Sequence, residues 1–412
     1  MGLRLALPAA LAIALVGACS GANSSALTGG GSDGGANGSS SSGSSGAGST
    51  SGSSSGSTSG SGSSSGGDAG DGPDSGSLAD AGCGPTSCNG CCTAAGACET
   101  GTDPVACGTG GAACTACIPG QKCGAGACAV PAAPVALLFG GNDGATVYGD
   151  TWLWDGDAWT ASSTGPSARW GAAVASAPGA VALFGGTTGG TTATYDADTW
   201  MWSSGAWAAS SVATAPPARR SAAASTLGSK VVLFGGFAGG TLYYGDTWTW
   251  DGVGWAQQNV TGPSARAGAA VATLGSTVVL FGGYDATGSL DDMWEWNGSA
   301  WTELTVAVPT IRRGASMAAL GSDIVLFGGS NAGVYDSDTW QWDGTSWTAL
   351  AATGPGAREF AAMAPVPGGV LMFGGFSGTS LGDTWLWNGV QWTQRNVAGP
   401  SARSGTTLVA LP

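Results

Sequence analysis

The chain contains no histidine, and only 9% of its residues are charged. Without imidazole there is no Ser-His-Asp or Cys-His nucleophile, and no side chain that ordinarily titrates near neutrality. Any general base would have to be a shifted carboxylate. Basic residues are also scarce: 12 Lys and Arg stand against 26 Asp and Glu, a formal charge of −14. A nucleic-acid partner needs a clustered basic face and is not expected here.

Two further absences divide the chain. No Phe, Trp or Tyr precedes Phe139, and no Cys follows Cys128. An apolar core can therefore form only from about residue 134 onward, in a stretch long enough for one large all-β domain.

The aromatic-free part has three sections. Residues 1–18 carry Arg4 and an apolar run from Leu5 to Val16, too short for a permanent span and expected to be a signal peptide. The ending Val16-Gly17-Ala18-Cys19 resembles the lipobox of bacterial lipoproteins, which implies lipid on Cys19, with Ser20 favouring the outer membrane or cell surface. Residues 19–82 are almost wholly Ser, Gly and Ala. Such a segment has no apolar surface to offset ordering and is expected to be a disordered tether with a reach of ~40–45 Å. Residues 83–130 hold Cys83, Cys88, Cys91, Cys92, Cys98, Cys107, Cys114, Cys117, Cys123 and Cys128. An even number of cysteines in an exported chain reads as a disulfide module of unreadable pairing. Zinc is the rival, on the spacing Cys88-x-x-Cys91 and Cys114-x-x-Cys117.

From residue 134 the chain repeats. An apolar run ending in Phe-Gly-Gly begins its triplet at Phe139, Phe184, Phe234, Phe281, Phe327 and Phe373, every 45 to 50 residues. Each triplet leads through a variable loop to an Asp-x-Trp-x-Trp strand and a third Trp. Eighteen of the nineteen Trp fall in these slots, and Trp170 is the exception. Four short strands per unit make a blade that cannot bury its own faces, so six units should close into a ring. The first Phe-Gly-Gly strand lacks a small-residue strand before it, and the final small-residue strand, Arg403 to Leu411, lacks a Phe-Gly-Gly after it. The expected remedy is a C-terminal strand that becomes the innermost strand of blade one.

These residues resemble the Kelch repeat over 134–412: paired glycines after the second strand, an aromatic third strand and a Trp on the fourth. The resemblance implies an all-β, six-bladed propeller that binds a protein or glycan ligand. It departs from the family in having Arg169-Trp170-Gly171-Ala172 and its equivalents where the family has Arg-x-Gly-His. Galactose oxidase resembles this architecture, but its copper ligands include histidine, so no cofactor and no metal is expected. A sialic acid mutarotase resemblance is the enzymatic alternative, and would use Glu295, Glu303 and Glu359 beside Arg358. A structural envelope protein is the other alternative; the leading expectation is a monomeric, non-enzymatic binding protein.

Two recurrent features are candidate ligand-binding residues. Arg169, Arg219, Arg266, Arg312, Arg358 and Arg403 occupy one repeat position and are expected to ring the channel mouth. By the family resemblance such arginines hold acidic peptides. The competing reading pairs each with Asp150, Asp198, Asp246, Asp292, Asp338 or Asp383, six against six. All six tyrosines, Tyr148, Tyr195, Tyr243, Tyr244, Tyr284 and Tyr335, lie in the loops after Phe-Gly-Gly, where they could stack on a ligand or seal the loops. The pairs Asp196-x-Asp198, Asp291-Asp292 and Asp336-x-Asp338 lack the calcium-loop pattern and read as ordinary loop carboxylates.

Overall fold

The computed structural model describes residues 132–163, 165–189 and 194–412, with short strands between Cys91 and Ala129. The signal peptide (1–18), Cys19 and the tether (19–82) lie outside the described residues, as do Cys83, Cys88, Cys114 and Cys117. In the cysteine-rich stretch, Cys91–Cys92 pairs with Cys98–Glu99 and Ala112–Ala113, and Cys91 is disulfide-bonded.

From residue 132 onward the described chain is six four-stranded antiparallel blades. Blade three is representative: Ala223–Leu227, Lys230–Phe234, Thr247–Trp250 and Trp255–Gln258, from the channel outward. The second strand is β-branched and aromatic and is buried on both faces, which a strand sandwiched between two neighbouring blades requires. The innermost strands must converge on the axis and are built from small residues, as in Ala173–Ala177 and Ala270–Leu274. Blade one takes its innermost strand from the C-terminus: Thr407–Ala410 pairs antiparallel with Ala136–Phe139, in the register Thr407↔Phe139 to Ala410↔Ala136. The ring is thus six blades closed by the last strand.

Six apolar clusters hold the ring, each drawn from two neighbouring blades. In each, the second Trp of the Trp-x-Trp strand stacks on the outer-strand Trp with centroids 5.2–5.5 Å apart. The outer Trp also donates its indole N–H to the threonine that opens the third strand of the preceding blade. Trp159 reaches Thr384 Oγ1, Trp207 reaches Thr151, Trp255 reaches Thr199, Trp301 reaches Thr247 and Trp392 reaches Thr339. Blade four has Met293 in the threonine's place, and Trp347 donates to its sulfur at 3.2 Å.

The double glycine serves blade-to-blade contact. Gly235 has φ +69°, and a Cβ there would lie 2.5 Å from the carbonyl oxygen of Arg266 on the next blade. Gly179 has nearly the same φ (+68°) but sits in a hairpin with nothing within 4 Å of a built Cβ. The two separate backbone strain from blade collision. Gly179→Ala should cost about 1 kcal/mol, the left-handed penalty alone. Gly235→Ala should cost about 3 kcal/mol or more, because the next blade's main chain must also move. Urea denaturation of both variants measures the difference.

Candidate functional site

The six repeated arginines are built into the blades. Arg169, Arg219, Arg266, Arg312, Arg358 and Arg403 are 0–3% exposed. Each guanidinium is bidentate to the Asp that precedes its own blade's Trp strand: Asp198, Asp246, Asp292, Asp338, Asp383 and Asp150 respectively. The expected ring of guanidinium groups at the channel mouth is therefore not formed, because these side chains are spent on fixing the blade. In Arg169 all five N–H donors are used: Nε on Ser167 O, Nη1 on Gly185 O and Asp198, Nη2 on Ser167 Oγ and Asp198. The same set recurs at Arg266, Arg312 and Arg403, each with Ser or Thr two residues earlier. The carboxylate also accepts the indole N–H of the first Trp, as Asp246 does from Trp248 at 2.7 Å. Meanwhile the arginine's own carbonyl accepts from the second glycine of the preceding blade, Gly236 N to Arg266 O being 2.8 Å.

Burial pushes these six Asp carboxyls up. The arginine hydrogen bonds and charge, with the indole N–H, outweigh it and hold each below the usual range. In four blades the residue two positions before the Asp meets the guanidinium: Tyr148 and Tyr244 at 3.9 and 3.8 Å, and Asp196 and Asp336 at 3.5 and 3.8 Å; blades four and six have Leu290 and Leu381 at this position. Burial raises Asp196 and Asp336, and the neighbouring Asp198 and Asp338 carboxylates add to that, against the pull of Arg169 and Arg312. Asp196 Oδ2 accepts no hydrogen bond among the described residues.

What reaches the mouth is the residue after each arginine. Side chains alternate along an extended backbone, so when Arg points into the blade its successor points out of it. These successors are Trp170, Arg220, Ala267, Arg313, Glu359 and Ser404, each bridged to a loop residue: Thr187, Phe237, Tyr284, Ser330, Phe376 and Asn142. The next residues, Gly171, Ser221, Gly268, Gly314, Phe360 and Gly405, all have φ between +52° and +66°. Each N–H donates to the carbonyl of its counterpart on the preceding blade, at 2.6–3.2 Å, and the six bonds close on themselves around the axis.

Above this backbone ring lies a cavity of about 270 Å³. The Arg220 guanidinium stands over the Trp170 ring at 4.2 Å and the Phe237 ring at 5.0 Å, with no carboxylate in salt-bridge reach among the described residues. Arg313 is different: its Nε donates to Glu359 Oε2 at 3.1 Å, and Glu359 also accepts from Ser330 Oγ at 2.6 Å. Among the described residues the mouth thus carries one uncompensated cation, on a chain of net charge −14.

The tyrosines divide. Tyr148 and Tyr244 seal the arginine pairs, and Tyr148 Oη donates to Asp143. Tyr284 lines the cavity, and Tyr195, Phe237, Tyr243 and Tyr284 run in a continuous chain of ring contacts 5.0–6.1 Å apart. Tyr335 packs on Phe376. Of the carboxylates considered for catalysis, Glu359 is at the mouth, while Glu295 and Glu303 lie on the third and outer strands of blade four, so the three do not share a site. Among the described residues no group of three or more His, Cys, Asp or Glu is arranged to hold a metal. Arg220, Arg313, Phe237, Phe360 and Phe376 were not singled out from the sequence. The available signals were the tandem Arg219-Arg220 and Arg312-Arg313, and the variability of the position after an otherwise invariant arginine.

A closed ring of six Trp-laden blades, with a variable mouth set on an invariant frame, defines a β-propeller suited to binding. Residues 253–412 match the family described as the KLHDC2/KLHL20/DRC7 Kelch-repeats domain, a likeness that agrees with the six-bladed propeller and suggests a protein-binding scaffold. No curated protein matches the chain.

The two carboxylates that meet Arg169 should respond oppositely to removal. Asp198→Asn removes the bidentate partner of a buried guanidinium, leaving only the longer contact to Asp196, and should cost about 2–3 kcal/mol, less than a fully buried pair because the carboxylate edge meets solvent. Because Asp198 is depressed in the fold, its contribution is present above the unfolded carboxylate range and is lost as pH falls through the lowered value. Asp196 is raised, so its ionisation opposes folding once the pH passes the raised value. Asp196→Leu, the residue of blades four and six, should lift the thermal midpoint by about 1–2 °C at neutral pH, with no gain at a pH where both carboxyls are protonated. Thermal melts from pH 3 to 8 check both signs.

Proposed function

We propose that this chain is an exported binding protein, held at a membrane surface by lipid on Cys19. Its propeller mouth would receive an extended acidic segment of another protein. The observation that carries the reading is Arg220: a guanidinium flanked by two aromatic rings, without a carboxylate partner among the described residues, above a cavity on an otherwise acidic molecule. Holding the guanidinium between rings reduces the entropy lost when it meets a carboxylate, and the rings add apolar contact. The surrounding negative charge repels non-specific polyanions, so an acidic ligand must present its carboxylate at this one point. Tyr284, Tyr243 and Phe237 supply flanking contact area. The Ser/Gly tether and cysteine-rich module would hold the propeller clear of the membrane.

A peptide and glycan array probed with the full-length protein tests the ligand class. Acidic peptides should dominate the hits, and Arg220→Gln should weaken them about tenfold, with the remaining affinity less sensitive to salt. Hits confined to neutral glycans, or acidic hits indifferent to Arg220→Gln, would overturn the reading. The anchor has its own test: metabolic labelling with a radioactive fatty acid should mark the wild type and not Cys19→Ala.

A further inference from the structure

One of the six residues in the hydrogen-bonded ring at the mouth does not fit the others. Four are glycine and one is Ser221, but Phe360 holds a bulky side chain at φ +52°. A left-handed conformation at a residue of this kind is strained and persists only where the surroundings impose it. The backbone ring does impose it, since Phe360 N donates to Gly314 O at 2.7 Å and its carbonyl accepts from Gly405 N at 3.2 Å. The consequence is where the phenyl ring goes. It lies against the main chain of the two preceding blades: a Cβ built on Gly314 would be 3.1 Å from three of its atoms, and one on Gly268 would be 3.3 Å from its Cε1. On the other side of the mouth the Trp170 ring covers Gly405, with Cε3 3.1 Å from a Cβ built there. These two rings line both the mouth cavity of about 270 Å³ and the channel cavity of about 200 Å³ beneath it.

We propose that Phe360 is the floor of the ligand site and sets its specificity, giving an apolar or planar group of the ligand a surface to lie on while Arg220 holds an adjoining carboxylate. This rests on the anion-binding reading of the mouth and adds a preference that Arg220 alone would not produce. A carboxylate with a flat apolar body should bind better than one without. The price of a left-handed Phe is unnecessary for the fold, since glycine and serine occupy the same place in the other blades.

The test uses the full-length protein, calorimetric titration, and two probes, 2-naphthoate and acetate. The wild type should bind naphthoate about tenfold more tightly than acetate. In Phe360→Gly and Phe360→Ser the preference should fall to about threefold or less, while the thermal midpoint stays level or rises. Serine is the second variant because Ser221 already occupies the equivalent position, so a folded protein is secured even if glycine loosens the mouth. An unchanged naphthoate preference in both variants overturns the floor assignment. If Arg220→Gln abolishes naphthoate binding at the same time, the anion site stands and only the floor is lost. If neither probe binds the wild type, or Arg220→Gln has no effect on either, the anion-binding reading falls and this inference with it.

Discussion

Every blade depends on one buried cation. An arginine in a protein interior is costly unless its charge is met and its donors are all used, and here both conditions hold with few exceptions. The carboxylate is bidentate, the two remaining directions are filled by main-chain carbonyls, and in four blades a Ser or Thr hydroxyl takes the last donor. Blades three and six have Pro217 and Gly356 in that place and lack the hydroxyl. The pair does more than hold its own blade. The carbonyl of the same arginine receives the preceding blade's second glycine, so a single residue joins the inside of one blade to the edge of another. The first, left-handed glycine of each pair is then required by contact as well as by the turn, because the same arginine carbonyl occupies the volume a side chain would need.

This division of labour leaves the mouth free to vary. Because the arginine is turned inward, its successor faces the channel mouth, and that successor is Trp, Arg, Ala, Arg, Glu or Ser with no effect on the clamp. Trp170, Arg220 and Arg313 stand over blades two, three and five, Glu359, Phe360 and Phe376 over blade six, and Asn142 and Ser404 give blade one a small, polar character. Frame and recognition surface are adjacent in sequence and separate in energetics. The frame uses positions repeated six times, and the surface uses positions that are not.

That separation explains what could be read from the sequence. The blade count, the strand order and the closing role of Thr407–Ala410 follow from the spacing of Phe-Gly-Gly and from two half-blades at opposite ends. The pairing of six arginines with six aspartates was legible as a count, but which way the guanidinium pointed was not, since that is decided by strand alternation and by Ser167 and its equivalents. The mouth was least legible. Trp170 and Glu359 stood out as irregularities; Phe360 breaks the Arg-x-Gly pattern of Gly171 and Gly268 in the sequence, but what that break does lies in a backbone angle that only the closed ring imposes. Repetition made the frame visible, and the same reliance on repetition hid the residues that break it.

The circle of six main-chain hydrogen bonds at the mouth has an electrostatic corollary. In a helix, peptide dipoles align head to tail along a line and leave partial charges at the two ends. Here the line is bent back onto its own start. The components lying across the axis cancel pairwise between opposite blades, so this loop has neither a beginning at which positive charge collects nor an end at which negative charge does. The loop itself thus offers an approaching ligand no end charge, and side chains such as Arg220 and Glu359 set where along the rim the charge falls.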